Sequence, residues 1–255
     1  MFKPVALVTG AESGIGAACA AALAADGLDV AVLFFKDQSA ADNTAATVTS
    51  AGAQAITVQA DVSDEAAVEA AFDRVKANLG LPTVLVNSAG LNQSGVVVAD
   101  MTTAQWQRLL GSDLTGPFLT SRRFVKDLRT AKRAGKIINI SSIHASAVRA
   151  GAADYCAAKG GLKNLTETMA LECAALGITV NAVAPGMILT PMNSRAVSDE
   201  SYRKGLEADV PLGRAGRAEE VAKLVAYLAS AAADYITGAT LTIDGGLSLL
   251  LAEGA

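Results

Sequence analysis

The sequence predicts an α/β fold, in which a parallel β-sheet is covered by helices on both faces. Short apolar runs of strand length alternate with stretches of helical pattern along all 255 residues. Such alternation is typical of parallel sheets whose strands are joined by right-handed helical crossovers. No linker or low-complexity segment interrupts it beyond an alanine bias, so we expect residues 1–255 to form a single domain.

Seven apolar runs predict the strands of this sheet. Each run is four to six residues long and is bounded by glycine, proline or polar residues, as expected of strands that are buried on both faces. In chain order, the predicted strands are residues 5–9, 30–35, 55–59, 83–86, 136–140, 178–183 and 239–243.

The segments between the first four strands carry helical patterns. An alanine-rich stretch runs from Gly16 to about Asp26, and the following Gly27 favours a helix end. A weaker helix is expected over residues 40–51. Ser63 is expected to cap the third helix, whose apolar residues keep helical spacing.

The next helix has clear signals at its start and at its bend. Thr102 and Gln105 have the spacing of a capping box. Asp113 falls on the apolar stripe of this helix, where a carboxylate is costly unless it has a partner. Gly116 and Pro117 predict a bend just afterwards. The apolar stripe consists of Trp106, Leu109, Leu110 and Phe118.

Three segments complete the chain. A helix begins near Tyr155 and continues to about Leu176. Residues 187–210 are polar and irregular, which predicts a lid or helical flap. A helix that includes Val221 then precedes the last strand. The apolar residues 249–251 either pack against the domain or form a subunit contact.

Composition and charge exclude several classes of function. The net charge of −4 leaves no basic footprint, so nucleic acid is not an expected partner. No apolar stretch approaches the ~20 residues of a membrane-spanning helix, and the few residues before the first strand leave no room for a signal peptide. Three cysteines without paired spacing and a single histidine argue against disulfides and a metal site. We therefore expect a cytoplasmic protein that binds neither membrane nor metal.

Three polar side chains predict proton-transfer chemistry. Ser142 lies just past the fifth predicted strand, where ligands of open α/β sheets bind. Tyr155 and Lys159 are four residues apart, so they share one face of a helix. A nearby ammonium stabilises a phenolate, and a hydroxyl can hydrogen-bond the oxygen of a carbonyl or alcohol. Together these groups suit the interconversion of an alcohol and a ketone.

A glycine-rich turn between the first strand and the first helix predicts phosphate binding. Thr9 and Gly10 are followed by Gly14 and Gly16, with the spacing T-G-x-x-x-G-x-G. Glycines let the backbone turn tightly and approach a pyrophosphate, which then meets the positive end of the helix. The alternative is a glycine-rich turn that binds no ligand.

Taken together, these motifs resemble the short-chain dehydrogenase/reductase family. The resemblance also includes Asn-Ser-Ala-Gly at residues 87–90 and Pro-Gly at residues 185–186, and it covers essentially the whole chain. Within the family, the chain is similar to the glucose 1-dehydrogenase and 3-oxoacyl-carrier-protein reductase branches. The resemblance implies a Rossmann-type, doubly wound sheet of seven parallel strands, a nicotinamide dinucleotide, a small-molecule substrate and a homotetramer.

The resemblance also implies roles for individual residues. Tyr155 is the general acid/base, Lys159 assists it and holds the ribose hydroxyls, and Ser142 orients the substrate oxygen. The other residues that the resemblance implies for dinucleotide binding are Gly10, Ser13, Gly14, Ile15, Gly16, Phe34, Lys36, Asp61, Val62, Asn87, Ala89, Gly90, Pro185, Gly186, Ile188 and Thr190.

Asp113 departs from the family pattern, which has asparagine at this position to link a water to the lysine in a proton relay. A carboxylate near Lys159 holds that lysine protonated and cancels part of its field at Tyr155. We therefore expect an active enzyme with a more alkaline pH optimum. A structural role at the helix bend is the alternative.

The sequence gives only weak signals for the choice between NAD and NADP. Relatives that prefer NAD usually carry Asp at the end of the second strand, where this chain has Phe34, followed by Phe35 and Lys36. The missing acid removes a repulsion against a 2′-phosphate, and Lys36 adds an attraction. Glu12 in the glycine-rich turn has the opposite effect. NADP(H) is slightly favoured, and use of NAD(H) stays open.

Four residues are expected to contact the substrate in addition to Ser142: His144, Asn92, Met187 and Met192. The expected substrate is a sugar, a polyol or a 3-oxoacyl compound. The glucose dehydrogenase branch tends to have an acidic residue near Asn92, and its absence here argues against glucose. The alternative from another functional class is a dinucleotide-binding sensor or scaffold that has lost catalysis.

Overall fold

A seven-stranded parallel sheet forms the centre of the protein, as predicted; the computed structural model describes residues 3–252. The strands, including two short ones outside this sheet, are β1 (Val5–Thr9), β2 (Asp29–Phe34), β3 (Ala55–Gln59), β4 (Pro82–Asn87), β5 (Gly135–Ile140), β6 (Ile178–Pro185), β7 (Ile188–Leu189), β8 (Gly216–Arg217) and β9 (Thr240–Ile243). The strand order is β3-β2-β1-β4-β5-β6-β9, a Rossmann-type order.

Helices cover both faces of the sheet. They are α1 (Gly14–Ala25), α2 (Gln38–Ser50), α3 (Glu65–Asn78), α4 (Thr103–Leu110), α5 (Gly116–Ala131), α6 (Ala153–Cys173), α7 (Ser194–Ser198), α8 (Glu200–Glu207) and α9 (Ala218–Ala229). Because side chains of a strand alternate between faces, Ala6 and Val8 pack with α1, α2 and α9, whereas Val5 and Leu7 pack with α3, α5 and α6. These two apolar layers confirm the predicted α/β class.

The position of β1 fixes where a ligand can bind. Its neighbours are β2 on one side and β4 on the other. The chain adds β2 and β3 on one side of β1 and then crosses back to place β4 on the other side, so the strand order switches between β1 and β4. Crevices in open α/β sheets form at such a switch point, outside the carboxyl ends of the strands. Thr9 lies opposite Asn87 in this pair of strands, and both residues end their strands at the crevice.

Two local predictions about helices were wrong. Asp64, not Ser63, caps α3, because its carboxylate accepts hydrogen bonds from the backbone N–H groups of Ala66 and Ala67. The stripe that includes Leu109 is only partly buried. Trp106 and Phe118 are 36% and 42% exposed, and a turn of π-helix at residues 111–115 shifts the phase of the helix between them, so the four residues do not form one continuous stripe.

The predicted capping box is present at the start of α4. Gln105 N–H donates to the Thr102 hydroxyl, and the Gln105 side chain accepts from the Thr102 N–H. The predicted bend takes the form of the π-helical turn, which leads directly into Gly116 and Pro117 at the start of α5. This turn places Asp113 in the interior of the protein.

The segment predicted as a lid or helical flap contains α7 and α8. It also contains an unpredicted strand, since β7 pairs in parallel with β8. Ile188 near the start of the segment and Val210 at its end are buried, so both ends of the segment pack against the domain. In the C-terminal run, Leu249 is 76% exposed. The side chains of Leu250 and Leu251 lie outside the described part of the structure.

Candidate active site

A cavity of about 790 Å³ lies at the carboxyl end of the sheet. Residues that follow β1, β2, β3, β4, β5 and β6 all contribute to its wall, so it spans the switch point. The predicted site residues in its lining are Gly10, Ser13, Gly14, Ile15, Gly16, Phe34, Asp61, Val62, Ala89, Gly90, Asn92, Asp113, Ser142, His144, Tyr155, Lys159, Pro185, Gly186, Met187, Ile188, Thr190 and Met192. Lys36 and Asn87 are outside this lining.

Ser142, Tyr155 and Lys159 lie together in the cavity wall. Ser142 follows β5 and begins a short 3₁₀ turn, where its Oγ accepts a hydrogen bond from the N–H of His144 at 3.1 Å. Tyr155 and Lys159 are on the first turns of α6, and the ammonium is 5.4 Å from the centre of the phenol ring. Nζ of Lys159 also donates to the Ile140 carbonyl at 3.1 Å, which fixes the ammonium at the end of β5.

Asp113 forms a buried ion pair with Lys159. Its Oδ2 lies 3.1 Å from Nζ, and its Oδ1 accepts a hydrogen bond of 2.7 Å from the N–H of Leu91. A Cβ on Gly90 would lie 2.8 Å from Oδ2, so glycine is needed there for the chain to pass. The carboxylate therefore joins the π-helical turn, the loop after β4 and the lysine of α6.

The charge state of Lys159 follows from this pairing. Burial favours the neutral amine and by itself lowers the pKa of Lys159. The carboxylate of Asp113, and after it the oxygen of Tyr155, act in the opposite direction. The pKa of Lys159 is therefore raised above its ordinary value, and the lysine is a cation at neutral pH.

Asp154 positions Tyr155 and was not found from the sequence. It is fully buried, and its two carboxylate oxygens accept from the N–H groups of Tyr155 at 2.8 Å and Ser94 at 3.2 Å. A carboxylate is favoured in the first turn of a helix by the unpaired N–H groups there. The sequence signal that could have identified Asp154 is an acidic residue directly before Tyr155, at the start of the predicted helix.

Asn87, which the resemblance implies for dinucleotide binding, is buried behind the cavity wall. Its amide is buried between β4 and the helices, where it donates to Asn139 Oδ1 at 2.8 Å and to Ser121 Oγ at 3.1 Å and accepts from Thr120 at 2.7 Å. Asn139 in turn donates to Thr166 at 2.9 Å. This chain of hydrogen bonds joins β4 and β5 to α5 and α6 behind the cavity wall.

The glycine-rich turn has the shape of an anion cradle. Gly10 and Gly14 have positive φ angles of 61° and 55°, and a Cβ on Gly10 would lie 2.7 Å from the Cα of Ala89. Ser13 is at the N-cap of α1, yet no side chain caps this helix, and its first turn holds no acidic residue. The free N–H groups of that turn therefore face the cavity with nothing from α1 opposing a bound anion.

Acidic side chains from the glycine-rich turn and from the segment after β3 line the cavity near the end of β2. Oε1 of Glu12 accepts a hydrogen bond of 3.2 Å from the N–H of Phe35, directly after Phe34. The ammonium of Lys36 lies 4.8 Å from the centre of the Phe35 ring, outside the lining. Asp61 faces the same part of the cavity.

The opposite end of the cavity has a mixed polar and apolar wall. Nδ1 of His144 is 2.6 Å from the Ala147 carbonyl, and the imidazole meets the Tyr155 ring edge-on at 6.1 Å between ring centres. Met192 is half exposed at the mouth. Arg149 also lines the cavity and was not among the predicted substrate contacts, and Arg195, in the segment predicted as a flap, lies in the same lining.

Among residues 3–252, no group of three or more histidine, cysteine or acidic side chains is placed to hold a metal ion. Within the same residues, no helix is long and apolar enough to cross a membrane.

Known proteins match this chain over nearly its whole length. The sequence model of the enoyl-(acyl carrier protein) reductase family matches residues 10–248. A cis-4-hydroxycyclohexanecarboxylate dehydrogenase of Sinomonas cyclohexanicum is 42% identical over 242 residues, 95% of each chain. Glucose 1-dehydrogenase 2 of Bacillus subtilis is 38% identical over 244 residues, 96% of this chain and 94% of that one. A solved structure from Agrobacterium tumefaciens with bound NADP is 34% identical, with a TM-score of 0.87 and 97% of each chain covered.

Proposed function

The chain belongs to the short-chain dehydrogenase/reductase family, and we propose that it is an NAD(P)-dependent oxidoreductase that interconverts a secondary alcohol and its ketone. The observation that carries the proposal is the meeting of Ser142, Tyr155 and Lys159 in one cavity with the glycine-rich turn. A proton-transfer group and a phosphate cradle in the same crevice suit a reaction that moves a hydride and a proton together.

In this proposal, Tyr155 moves the proton at the substrate oxygen. The ammonium of Lys159, 5.4 Å from the ring, stabilises the phenolate that forms when the proton leaves. The Ser142 hydroxyl donates a hydrogen bond to the same substrate oxygen and orients it. Asp154 holds the N–H of Tyr155 at the start of α6, which supports the position of the phenol in the cavity wall.

The residues present fit a nicotinamide dinucleotide. The uncapped first turn of α1, with Gly14 and Gly16, would hold the pyrophosphate, and Lys159 would hold ribose hydroxyls. A Cβ on Gly14 would lie 3.3 Å from Cβ of Thr190, so the glycine-rich turn lies directly against the residue that follows β7, and both line the cavity. Once bound, the nicotinamide supplies or accepts the hydride.

The proposed substrate is a sugar, a polyol or a 3-oxoacyl compound. The relatives are named for substrates as different as glucose and a hydroxycyclohexanecarboxylate, so the family alone does not select among these classes. The end of the cavity near His144 and Asn92 combines polar groups with the apolar Met187 and Met192. That wall suits a small hydroxylated carbon skeleton.

We also propose that the protein is a cytoplasmic homotetramer. Large apolar side chains are exposed on the adjoining helices α4, α5 and α6, among them Trp106, Phe118 and Leu171. Exposed apolar groups on neighbouring helices are typical of subunit contacts. All three cysteines are free thiols, consistent with a reducing compartment. Sedimentation velocity of the purified protein tests the tetramer, and a concentration-independent monomer contradicts it.

Turnover measured by nicotinamide absorbance tests the proposed activity. The panel holds sugars, polyols, secondary alcohols and 3-oxoacyl esters, each with NAD(H) and NADP(H). We expect turnover on one of these classes. Binding of the dinucleotide without turnover on any of them would favour the alternative, a dinucleotide-binding sensor whose Asp113–Lys159 ion pair has weakened catalysis.

A further inference from the structure

We infer that Glu12 makes the dinucleotide site selective for NAD(H) over NADP(H), which reverses the slight preference expected from the sequence. The inference rests on the proposed function, since it concerns the adenosine end of the same cavity. Its basis is the position of the Glu12 carboxylate, the charges around it and the place of Lys36.

The Glu12 carboxylate reaches from the glycine-rich turn to the end of β2. Oε1 is held there by the N–H of Phe35 at 3.2 Å. Oε2 is shielded from solvent and has no hydrogen-bond partner in the described structure. An acidic group therefore stands at the end of β2 although the strand itself ends in Phe34, because the turn after β1 supplies it.

An unpartnered carboxylate oxygen of this kind suits a hydroxyl and repels a phosphate. Glu12 lines the cavity, and a small rotation of its side chain would bring Oε2 within reach of a ribose hydroxyl, which would supply the donor that this oxygen lacks. A 2′-phosphate has no proton to donate at neutral pH in its dianionic form, and its charge has the same sign as that of Glu12. The same oxygen thus distinguishes the two dinucleotides.

The surrounding charges act in the same direction. The part of the lining formed by residues 10–16, 33–35 and 60–63 contains two carboxylates, those of Glu12 and Asp61, and no lysine, arginine or histidine. The Asp61 carboxylate accepts hydrogen bonds from both the N–H and the hydroxyl of Ser63 and lines the cavity. Lys36, which was expected from the sequence to attract a 2′-phosphate, lies over the Phe35 ring and outside the cavity lining.

Fluorescence titration with NADH and with NADPH tests the inference by binding alone. The variants are Glu12→Gln, which keeps an acceptor for the Phe35 N–H and removes the charge, and Asp26→Asn as a matched control. Asp26 is exposed at the far end of α1, about 18 Å away at the helical rise per residue, so its charge is screened from the site. Thermal melts establish that each variant is folded.

We expect the wild type to bind NADH at least about tenfold more tightly than NADPH. Glu12→Gln is expected to reduce that ratio by about tenfold, chiefly by strengthening NADPH binding, whereas Asp26→Asn leaves the ratio unchanged. Tighter binding of NADPH by the wild type, or an unchanged ratio in Glu12→Gln, overturns the inference and leaves the proposed function standing. Failure to bind either dinucleotide overturns both.

Discussion

The carboxylate of Asp113 lies 3.1 Å from the ammonium of Lys159, and both side chains are buried. The pair raises the pKa of Lys159 and at the same time offsets the positive field that Lys159 exerts on Tyr155. A proton-transfer tyrosine next to a neutralised pair forms its phenolate less readily than one next to a lone cation. This relationship is the physical basis for expecting an alkaline pH optimum.

Asp113→Asn is expected to shift the pH–rate profile to lower pH. Without the carboxylate, burial is the largest remaining influence on Lys159 and lowers its pKa. The alkaline limb of the pH–rate profile, on which the lysine loses its proton, therefore moves to lower pH. While Lys159 is protonated, its positive charge is no longer offset by Asp113 and stabilises the Tyr155 phenolate more strongly. The acidic limb of the profile, on which the rate rises, therefore also moves to lower pH, by about one unit. Profiles of kcat/KM for both proteins measure the two limbs.

A structural role of Asp113 gives a different profile. In that case the contribution of Asp113 is the hydrogen bond that its Oδ1 accepts from the Leu91 N–H, and the side-chain oxygen of asparagine can accept the same bond. The rate would then change by the same factor at every pH, with both limbs in place. Circular dichroism of the variant serves as the control for folding.

Asn87→Leu is expected to destabilise the domain by about 2–4 kcal/mol, because it leaves Asn139 Oδ1 and Ser121 without their buried partner. Urea unfolding followed by circular dichroism measures the change. The control is Asn78→Ala, which removes an exposed amide bonded to the Arg74 carbonyl and should cost less than about 0.5 kcal/mol. Similar losses in the two variants would show that the buried network contributes little.

Acid is expected to weaken the structure at the start of α9. Arg214, followed by the N–H of Arg217, holds the pKa of Glu220 at about 2 instead of 4.5. A lowered folded-state pKa means that this stabilisation is complete above about pH 4.5 and is lost as the pH falls towards 2. The difference in Tm between wild type and Glu220→Gln should therefore be constant from neutral pH to about 4.5 and shrink below it. A difference that is the same at every pH contradicts this assignment.

The strand pattern and the order of motifs were readable from the sequence because each depends on local composition. The run from Val5 to Val8 is apolar throughout, and it has to be, since both faces of this strand are covered. The four-residue spacing of Tyr155 and Lys159 fixes a shared helix face without any tertiary knowledge. Both features are found in the structure as predicted, because no other local sequence signal favours a different conformation there.

The parts that were missed depend on contacts between distant segments. Trp106 and Phe118 were assigned to one apolar stripe, but the π-helical turn between them changes the helix phase, and that turn has no marker beyond Gly116 and Pro117. The amide of Asn87 belongs to a network that closes only when α5 and α6 pack on the sheet. The two-residue strand β7 exists because β8 comes beside it.

The most direct test of the proposed mechanism compares Tyr155→Phe with the wild type in both turnover and NADH binding. Phenylalanine keeps the ring beside Lys159 and removes only the oxygen that carries the proton. We expect kcat on the best substrate of the panel to fall by about 10²–10⁴-fold while the Kd for NADH stays within about threefold. A variant that keeps more than about a tenth of the wild-type turnover would contradict the assignment of Tyr155 as the general acid/base.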